Sequence, residues 1–382
     1  MSRRRLSLGD PPLTSSSCHT TMPKRPPNLA ALCVHRRRLV ARRCAAPVLL
    51  LAACLAATRI AHAQVQSALA PAGVQAAHIL ELWRLTLAVC SLVFAAILLA
   101  CFVALLRAPR ADRATPPELR SIEHSEPRLR RPVMVATFVS AVLLAGLVIA
   151  DVLTDRALSR LPVADAVHIE LTGHQWWWEA RYLPTDGAPA FTLANELHVP
   201  VGRPVVVSLV AADVIHTFWA PSLHGKKDMI PGQKSTISFR ADRAGTYRGQ
   251  CAEFCGAEHA LMAFLVVAEP PAAYDAWAAR QRALALAPSG ESAMRGRELF
   301  MTGACARCHT ISGTSATGRL GPDLSHLASR RTLAAGTLVN DRATLARWIA
   351  DPGALKPSAM MPPTHLSPSD LDALVAYLGT LE

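Results

Sequence analysis

A chain of 382 residues, 51% of them hydrophobic, has room for two or three domains. Its formal net charge is +12, yet residues 1–63 hold 11 Lys/Arg against the single acid Asp10, and the remainder holds 29 against 27. The basic excess therefore belongs to the leading segment, the rest is close to neutral, and a nucleic-acid role is excluded.

Residues 1–63 read as a leader. Arg36-Arg37-Arg38 and Arg42-Arg43 precede an apolar stretch from Ala45 to Ala57, and Ala61-His62-Ala63 supplies the small-x-small pattern of a signal-peptidase site, which makes Gln64 the first mature residue. Leu51-Ala52-Ala53-Cys54 has the shape of a lipobox, so a lipidated Cys54 is the competing mature N-terminus. The opening Ser/Pro-rich stretch is long for a leader, and Met22 is an alternative start.

Residues 64–160 read as a transmembrane hairpin, with spans over about 83–106 and 132–150. At 1.5 Å per residue these give ~36 Å and ~28 Å, each enough for a hydrocarbon core. The loop from Arg107 to Arg131 carries seven arginines, whereas residues 64–82 carry no Lys or Arg. The positive-inside rule puts that loop in the cytoplasm and everything after Ala150 outside. Cys90 and Cys101 fall in the first span and read as packing residues.

Residues 161–268 read as β. Val167-His-Ile-Glu-Leu-Thr, Glu196-Leu-His-Val, Pro204-Val-Val-Val-Ser-Leu-Val, Ser235-Thr-Ile-Ser-Phe and Phe264-Leu-Val-Val-Ala are short β-branched runs punctuated by Gly and Pro. That spacing predicts a sandwich. Late in this region Cys251, Cys255, His259 and Met262 crowd into one loop, with His216 upstream. Thiolate, thioether and imidazole together select copper over hard cations, and two cysteines four residues apart can bridge a metal pair. A Cys251–Cys255 disulfide is the plainer alternative; the surrounding His and Met ligands argue against it. His168, His174, His198 and His224 stand alone and read as surface or structural residues.

Four runs carry a resemblance: Gly173-His-Gln-Trp176-Trp177-Trp178-Glu179, Asp213-Val-Ile-His216-Thr-Phe-Trp219, Gly225-Lys-Lys-Asp-Met-Ile-Pro-Gly232, and Cys251-Ala-Glu253-Phe-Cys255-Gly-Ala-Glu-His259-Ala-Leu-Met262. With the hairpin, they resemble subunit II of cytochrome c oxidase. The resemblance implies a cupredoxin-like sandwich holding a binuclear CuA centre. Cys251 and Cys255 then bridge the coppers, His216 and His259 ligate by imidazole, Met262 by sulfur and Glu253 by its backbone carbonyl. The Glu253 carboxylate would help hold Mg²⁺ at the junction with subunit I, hard oxygen for a hard cation. Trp176 carries the role of the indole through which electrons enter, while Trp177 and Trp178 are read as core or membrane-surface indoles.

Residues 269–290 are Pro/Ala-rich and read as a partly helical linker. Residues 291–382 read as a small all-α domain around haem. Cys305-Ala-Arg-Cys308-His309 is the covalent haem c attachment pattern, in which both thiols join the porphyrin and His309 ligates iron. A redox dithiol or zinc half-site is the alternative, but no second Cys pair completes a zinc site. Helices are expected over Met294–Thr302, Arg342–Ala350 and Ser369–Leu381. Met360-Met361-Pro-Pro lies roughly fifty residues after His309 and resembles the axial-methionine loop of class I cytochromes c. Met361, next to the proline, is the expected axial ligand, with Met360 its rival and His326 or His365 the fallback. The Pro322 carbonyl is expected to orient His309.

The expectation is thus a multi-domain membrane protein: a two-helix transmembrane hairpin, an all-β cupredoxin-like sandwich and an all-α cytochrome c domain, in a bacterial inner membrane with both cofactor domains periplasmic. The resemblance implies oxidase subunits I and III as partners, and a donor cytochrome c or an upstream quinol:cytochrome c oxidoreductase. A membrane-tethered haem c/CuA carrier working outside an oxidase is the alternative. A copper-free quinol oxidase subunit is disfavoured by the intact ligand set. The copper domain of nitrous oxide reductase is disfavoured by the hairpin.

Overall fold

The structure is a computed structural model that describes residues 66–108, 127–184 and 187–382. The leader, its cleavage or lipidation site and the middle of the arginine-rich loop lie outside the described residues.

Helix α1 spans Val74–Arg107 and contains neither Gly nor Pro, so nothing interrupts it. Its 34 residues reach ~51 Å, well beyond a ~30 Å hydrocarbon core. It starts before Trp83 because its first turns pack on protein, with Gln75, Ala76 and Leu80 buried. Arg240 N donates to Gln75 Oε1 at 3.2 Å, and Ala72 N donates to the Ser222 carbonyl at 2.7 Å. Helix α2 spans Pro127–Leu158 and continues past Ala150 through Asp151, Asp155 and Arg156. An apolar run marks only the lipid-embedded part of a helix, which is why the sequence reading ends it early. Both helices are long and apolar enough to cross a membrane. Side chains such as Leu92, Phe94, Leu99, Phe138 and Leu144 are exposed along them, a surface suited to lipid or to another apolar subunit.

Ten strands follow. β1 (Val167–His174), β2 (Trp177–Tyr182), β3 (Phe191–Ala194), β5 (Pro204–Ala211) and β8 (Ser235–Arg240) form one sheet in the order β3-β2-β1-β5-β8. β4 (Glu196–Pro200), β9 (Gly245–Gln250) and β10 (Ala263–Glu269) form the second, in the order β4-β10-β9. β6 (His216–Phe218) and β7 (Lys227–Met229) make a short ribbon. β1 and β5 pair in parallel and bury alternate residues, placing Ile169, Leu171, Val205, Val207 and Leu209 in the core. Every residue of β4 is buried, as is nearly all of β10, because both faces of that sheet are covered.

One cover is α3 (Pro271–Gln281), inside the expected linker. Its Tyr274 and Trp277 join the sandwich core, with Trp277 edge-on to Tyr182 at 5.5 Å. The other contact comes from the C-terminal domain, through the hairpin β11–β12 (Thr332–Leu333 and Leu338–Val339). This hairpin departs from an expectation of helices only. Its tip carries three successive positive φ angles, at Ala334, Ala335 and Gly336, and Ala263 N donates to the Ala335 carbonyl at 2.9 Å.

The rest of that domain is helical: α4 (Glu291–Thr302), α5 (Cys305–Cys308), α6 (Arg342–Ala350), α7 (Pro352–Leu355) and α8 (Pro368–Leu378). α6 begins where the Asp341 side chain caps Thr344 N at 2.8 Å, and α8 where Ser367 Oγ caps Asp370 N at 3.1 Å. α4 crosses α8 at Gly296, where an added Cβ would lie 1.9 Å from the Ala373 carbonyl oxygen. Phe300 meets Tyr377 edge-on beside that crossing, at 6.0 Å.

Candidate copper and haem sites

The loop after β9 carries five of the predicted copper ligands, and β6 delivers His216 into it. His216, Cys251 and Cys255 are buried and their ligand atoms lie within 4.8 Å of one another. Cys251 Sγ is 3.9 Å from His216 Nδ1 and 3.2 Å from the Glu253 carbonyl oxygen. Cys255 Sγ is 3.6 Å from His259 Nδ1 and 3.7 Å from the sulfur of Met262, which is fully buried. All six predicted ligands are therefore brought together. Glu253 itself is exposed.

The two thiols are electrostatically incompatible as a bare pair. Their contact holds the Cys251 thiol far below the usual range and, with burial, pushes Cys255 far above it. One thiolate forms readily; a second beside it needs a cation. Two buried sulfurs, two imidazoles and a thioether around that point fit copper by chemistry as well as by proximity.

Asp213 completes the centre, a residue the sequence reading quoted without giving it a role. His216 Nε2 donates to Asp213 Oδ1 at 2.8 Å, leaving Nδ1 as the nitrogen facing Cys251. Asp213 also accepts from Gln175 N and Val214 N, both at 2.7 Å. Gly173 on β1 makes room for the ring: a Cβ there would lie 2.9 Å from His216 Cδ2. A carboxylate three residues before a ligand histidine was the available signal.

The tryptophan run divides. Trp176 Nε1 donates to the Cys255 carbonyl at 3.0 Å, alongside Gln175 Nε2 at 2.8 Å. Trp177 stacks on His174 with centroids 4.4 Å apart. Trp178 is wholly buried between Phe264 and His216, at 5.2 and 6.1 Å. Among the lone histidines, His198 is structural: it stacks on Trp277 at 4.1 Å.

In the C-terminal domain, Cys305 and Cys308 are half-buried free thiols on α5. His309 Nδ1 donates to the Pro322 carbonyl at 2.8 Å, which fixes the ring and leaves Nε2 for a metal. Two free thiols one turn apart followed by an oriented imidazole fit covalent haem. Met361 is half-buried, whereas Met360 is 69% exposed. His326 is buried with Nδ1 2.6 Å from the Glu382 carbonyl oxygen, and His365 is exposed.

Residues 184–269 match the family described as cytochrome C oxidase subunit II, periplasmic domain, and residues 293–382 match cytochrome c. Cytochrome c oxidase subunit 2 of Alkalihalophilus pseudofirmus is 38% identical over 219 residues, spanning 57% of this chain and 62% of that protein. The chain thus covers less than two thirds of that relative's length. The periplasmic domain of subunit II of cytochrome oxidase from Bradyrhizobium japonicum is 31% identical, covering 32% of this chain and 97% of that structure, with a TM-score of 0.29. Cytochrome c oxidase subunit 2 of Bacillus sp. (strain PS3) is 31% identical over 268 residues, 65% of this chain and 74% of that protein. Identity of 31% over 74% of that protein, together with family matches that include the sulfur-rich loop and the haem-attachment motif, establishes that this chain belongs to the cytochrome c oxidase subunit 2 family.

Proposed function

We propose that this chain acts as subunit II of a respiratory cytochrome c oxidase. It passes electrons from a donor cytochrome, through its own haem c and binuclear CuA centre, to the haem of subunit I, where O₂ is reduced to water with proton translocation. The oxygen-reducing site lies outside this chain. The observation that carries the reading is the convergence of His216, Cys251 and Cys255 in one buried cluster, on a chain that also bears an oriented Cys-x-x-Cys-His.

Bound copper would supply a one-electron couple. The protein's part is to hold the donors still. Cys251, Cys255, His216, His259, Met262 and the Glu253 carbonyl form the copper set; Asp213 fixes the His216 ring; and Cys305, Cys308, His309 and Met361 hold the haem. The exposure of Met360 favours Met361 as the methionine that would hold the haem iron. Trp176, whose indole is hydrogen-bonded to the Cys255 carbonyl, is suited to passing electrons into the copper loop. The exposed Glu253 carboxylate and the neighbouring Phe254, 74% exposed, suit a face turned to subunit I, with Glu253 sharing a Mg²⁺ there. Subunit III and a donor cytochrome c or quinol:cytochrome c oxidoreductase complete the partners. The arginine-rich loop favours the cytoplasmic side, which sets both cofactor domains in the periplasm of a bacterial inner membrane.

The copper-to-iron ratio and optical spectrum of the purified full chain test this reading. We expect two coppers per haem iron and the near-infrared absorption of mixed-valence copper. Cys251→Ser should abolish that band and leave the haem spectrum in place; a band that survives the substitution would refute the ligand assignment.

A further inference from the structure

Between the copper domain and the haem domain runs a seam made of buried charge, and it joins the two predicted cofactor loops directly. Lys356 is 4% exposed, and its Nζ donates to the Trp176 carbonyl at 3.0 Å. Two residues on, Ser358 N donates to Glu258 Oε1 at 2.7 Å. Glu258 is itself 3% exposed and sits in the copper loop between Cys255 and His259. Ser358 is three residues before Met361. The stretch Lys356–Met361 is therefore clamped at one end to Trp176 and the copper loop and carries the axial-methionine candidate at the other. Trp176 in turn holds the Cys255 carbonyl through its indole.

A second contact fixes the orientation of the same seam. Glu196 Oε1, on the first residue of β4, accepts from Arg331 N at 2.7 Å and from Thr332 N at 3.1 Å. Thr337 Oγ1 donates to the Leu261 carbonyl at 3.2 Å, one residue before Met262. Buried charges are a costly way to make two surfaces adhere, since their desolvation roughly cancels the attraction. They do penalise other docked placements, in which a buried group would lack its partner. Elsewhere outside the leader, lysine occurs only as Lys226, Lys227 and Lys234, all exposed.

We propose that Lys356 and Glu258 are positioning residues, which lock the methionine loop of the haem domain against Trp176 and so set a fixed intramolecular route between haem and copper. This rests on the relay reading given above. A cytochrome domain merely tethered by the linker would sample many placements, and transfer would wait on the productive one. A locked seam removes that wait.

Two measurements on the purified full chain with both cofactors loaded test it. In the first, surface amines are acetylated and followed residue by residue. Lys356 should react at no more than about a tenth of the rate of exposed Lys234, as burial in a closed seam requires. Equal reactivity would overturn the proposal without any variant being made. In the second, haem is photoreduced and its oxidation by copper timed. Lys356→Met should slow that step on the order of tenfold to a hundredfold, as small losses of positioning do, with both optical spectra unchanged. Lys356→Arg, which keeps a charged donor, should recover part of the rate, and Glu258→Gln should free Lys356 towards acetylation. An unchanged rate in Lys356→Met would overturn the positioning role. Absence of any haem-to-copper transfer in the wild type, with Lys356 still protected, would instead sink the relay reading and the positioning role with it.

Discussion

At the scale of single residues, the copper set depends on a carboxylate that touches no metal. Burial alone would raise the Asp213 carboxyl; hydrogen bonds from His216 and from the Val214 and Gln175 amides outweigh it and hold the group below the usual range. Asp213 therefore stays a pure acceptor, and His216 keeps one tautomer with Nδ1 aimed at Cys251. Asp213→Ala should weaken copper binding on the order of ten- to a hundredfold, the usual loss when the partner of a ligating histidine is removed. Titration of the purified chain with a competing chelator measures this; retention equal to wild type would mean that burial alone orients the ring. The methionines separate in the same way. Met361→Leu should leave haem attached but remove the methionine–iron charge-transfer band, while Met360→Leu, altering a side chain 69% exposed, should keep it. The reverse result would exchange their roles.

At the scale of elements, α3 and β4 show how a stretch read as linker becomes part of the core. His198 stacks on Trp277 of α3, with Nδ1 3.1 Å from Glu269 Oε2 and Nε2 3.7 Å from Glu196 Oε2. Burial alone would lower the His198 imidazole, but its two carboxylate partners outweigh burial and raise it. The hydrogen bond to His198 lowers Glu269 in turn. A raised imidazole contributes stability that is complete below its unfolded value of about 6.5 and lost as pH rises through the folded value. A depressed carboxyl contributes above about 4.3 and loses that as pH falls through its folded value. The pair therefore stabilises most between those limits. Thermal unfolding of wild type should exceed that of His198→Gln by more at pH about 5.5 than at pH about 8.5; a difference independent of pH would remove the ion pair from the account. Helix within this stretch was expected, but neither its packing into the core nor this cluster was legible in the sequence, since Trp277 acquires a partner 79 positions earlier in the chain. Strands behaved alike. β1, β4, β5, β8 and β10 announce themselves by β-branched runs. β9, with two glycines, Arg248 and Gln250, is a strand because β10 supplies its hydrogen bonds. The candidate copper and haem residues could be picked out because such chemistry restricts residue type and spacing. Lys356 and Glu258 could not, because a contact across about a hundred residues leaves no local pattern.

At the scale of the whole molecule, the choice between an oxidase subunit and a free carrier turns on what the two helices and the copper loop dock against. Apolar side chains line α1 and α2 outward along their length, and none of the most apolar window of either helix is buried. A hairpin needs no such partner to stay in lipid, and apolar surface by itself gives no drive for helices to associate there. On the proposed oxidase reading, docking comes from shape within the membrane and from the rim of the copper loop, where Glu253 and Phe254 are exposed. Two attachment surfaces on one chain reinforce each other, since engaging either raises the effective concentration of the other. Purification of the tagged full chain in mild detergent should therefore bring down a large multispan subunit carrying its own haem. Phe254→Asp should weaken that association while leaving copper and haem loaded, because it alters the exposed rim and none of the metal donors. Recovery of the wild-type chain alone, fully loaded and still able to pass electrons from haem to copper, would favour the tethered carrier, a molecule with the same relay and a different recipient.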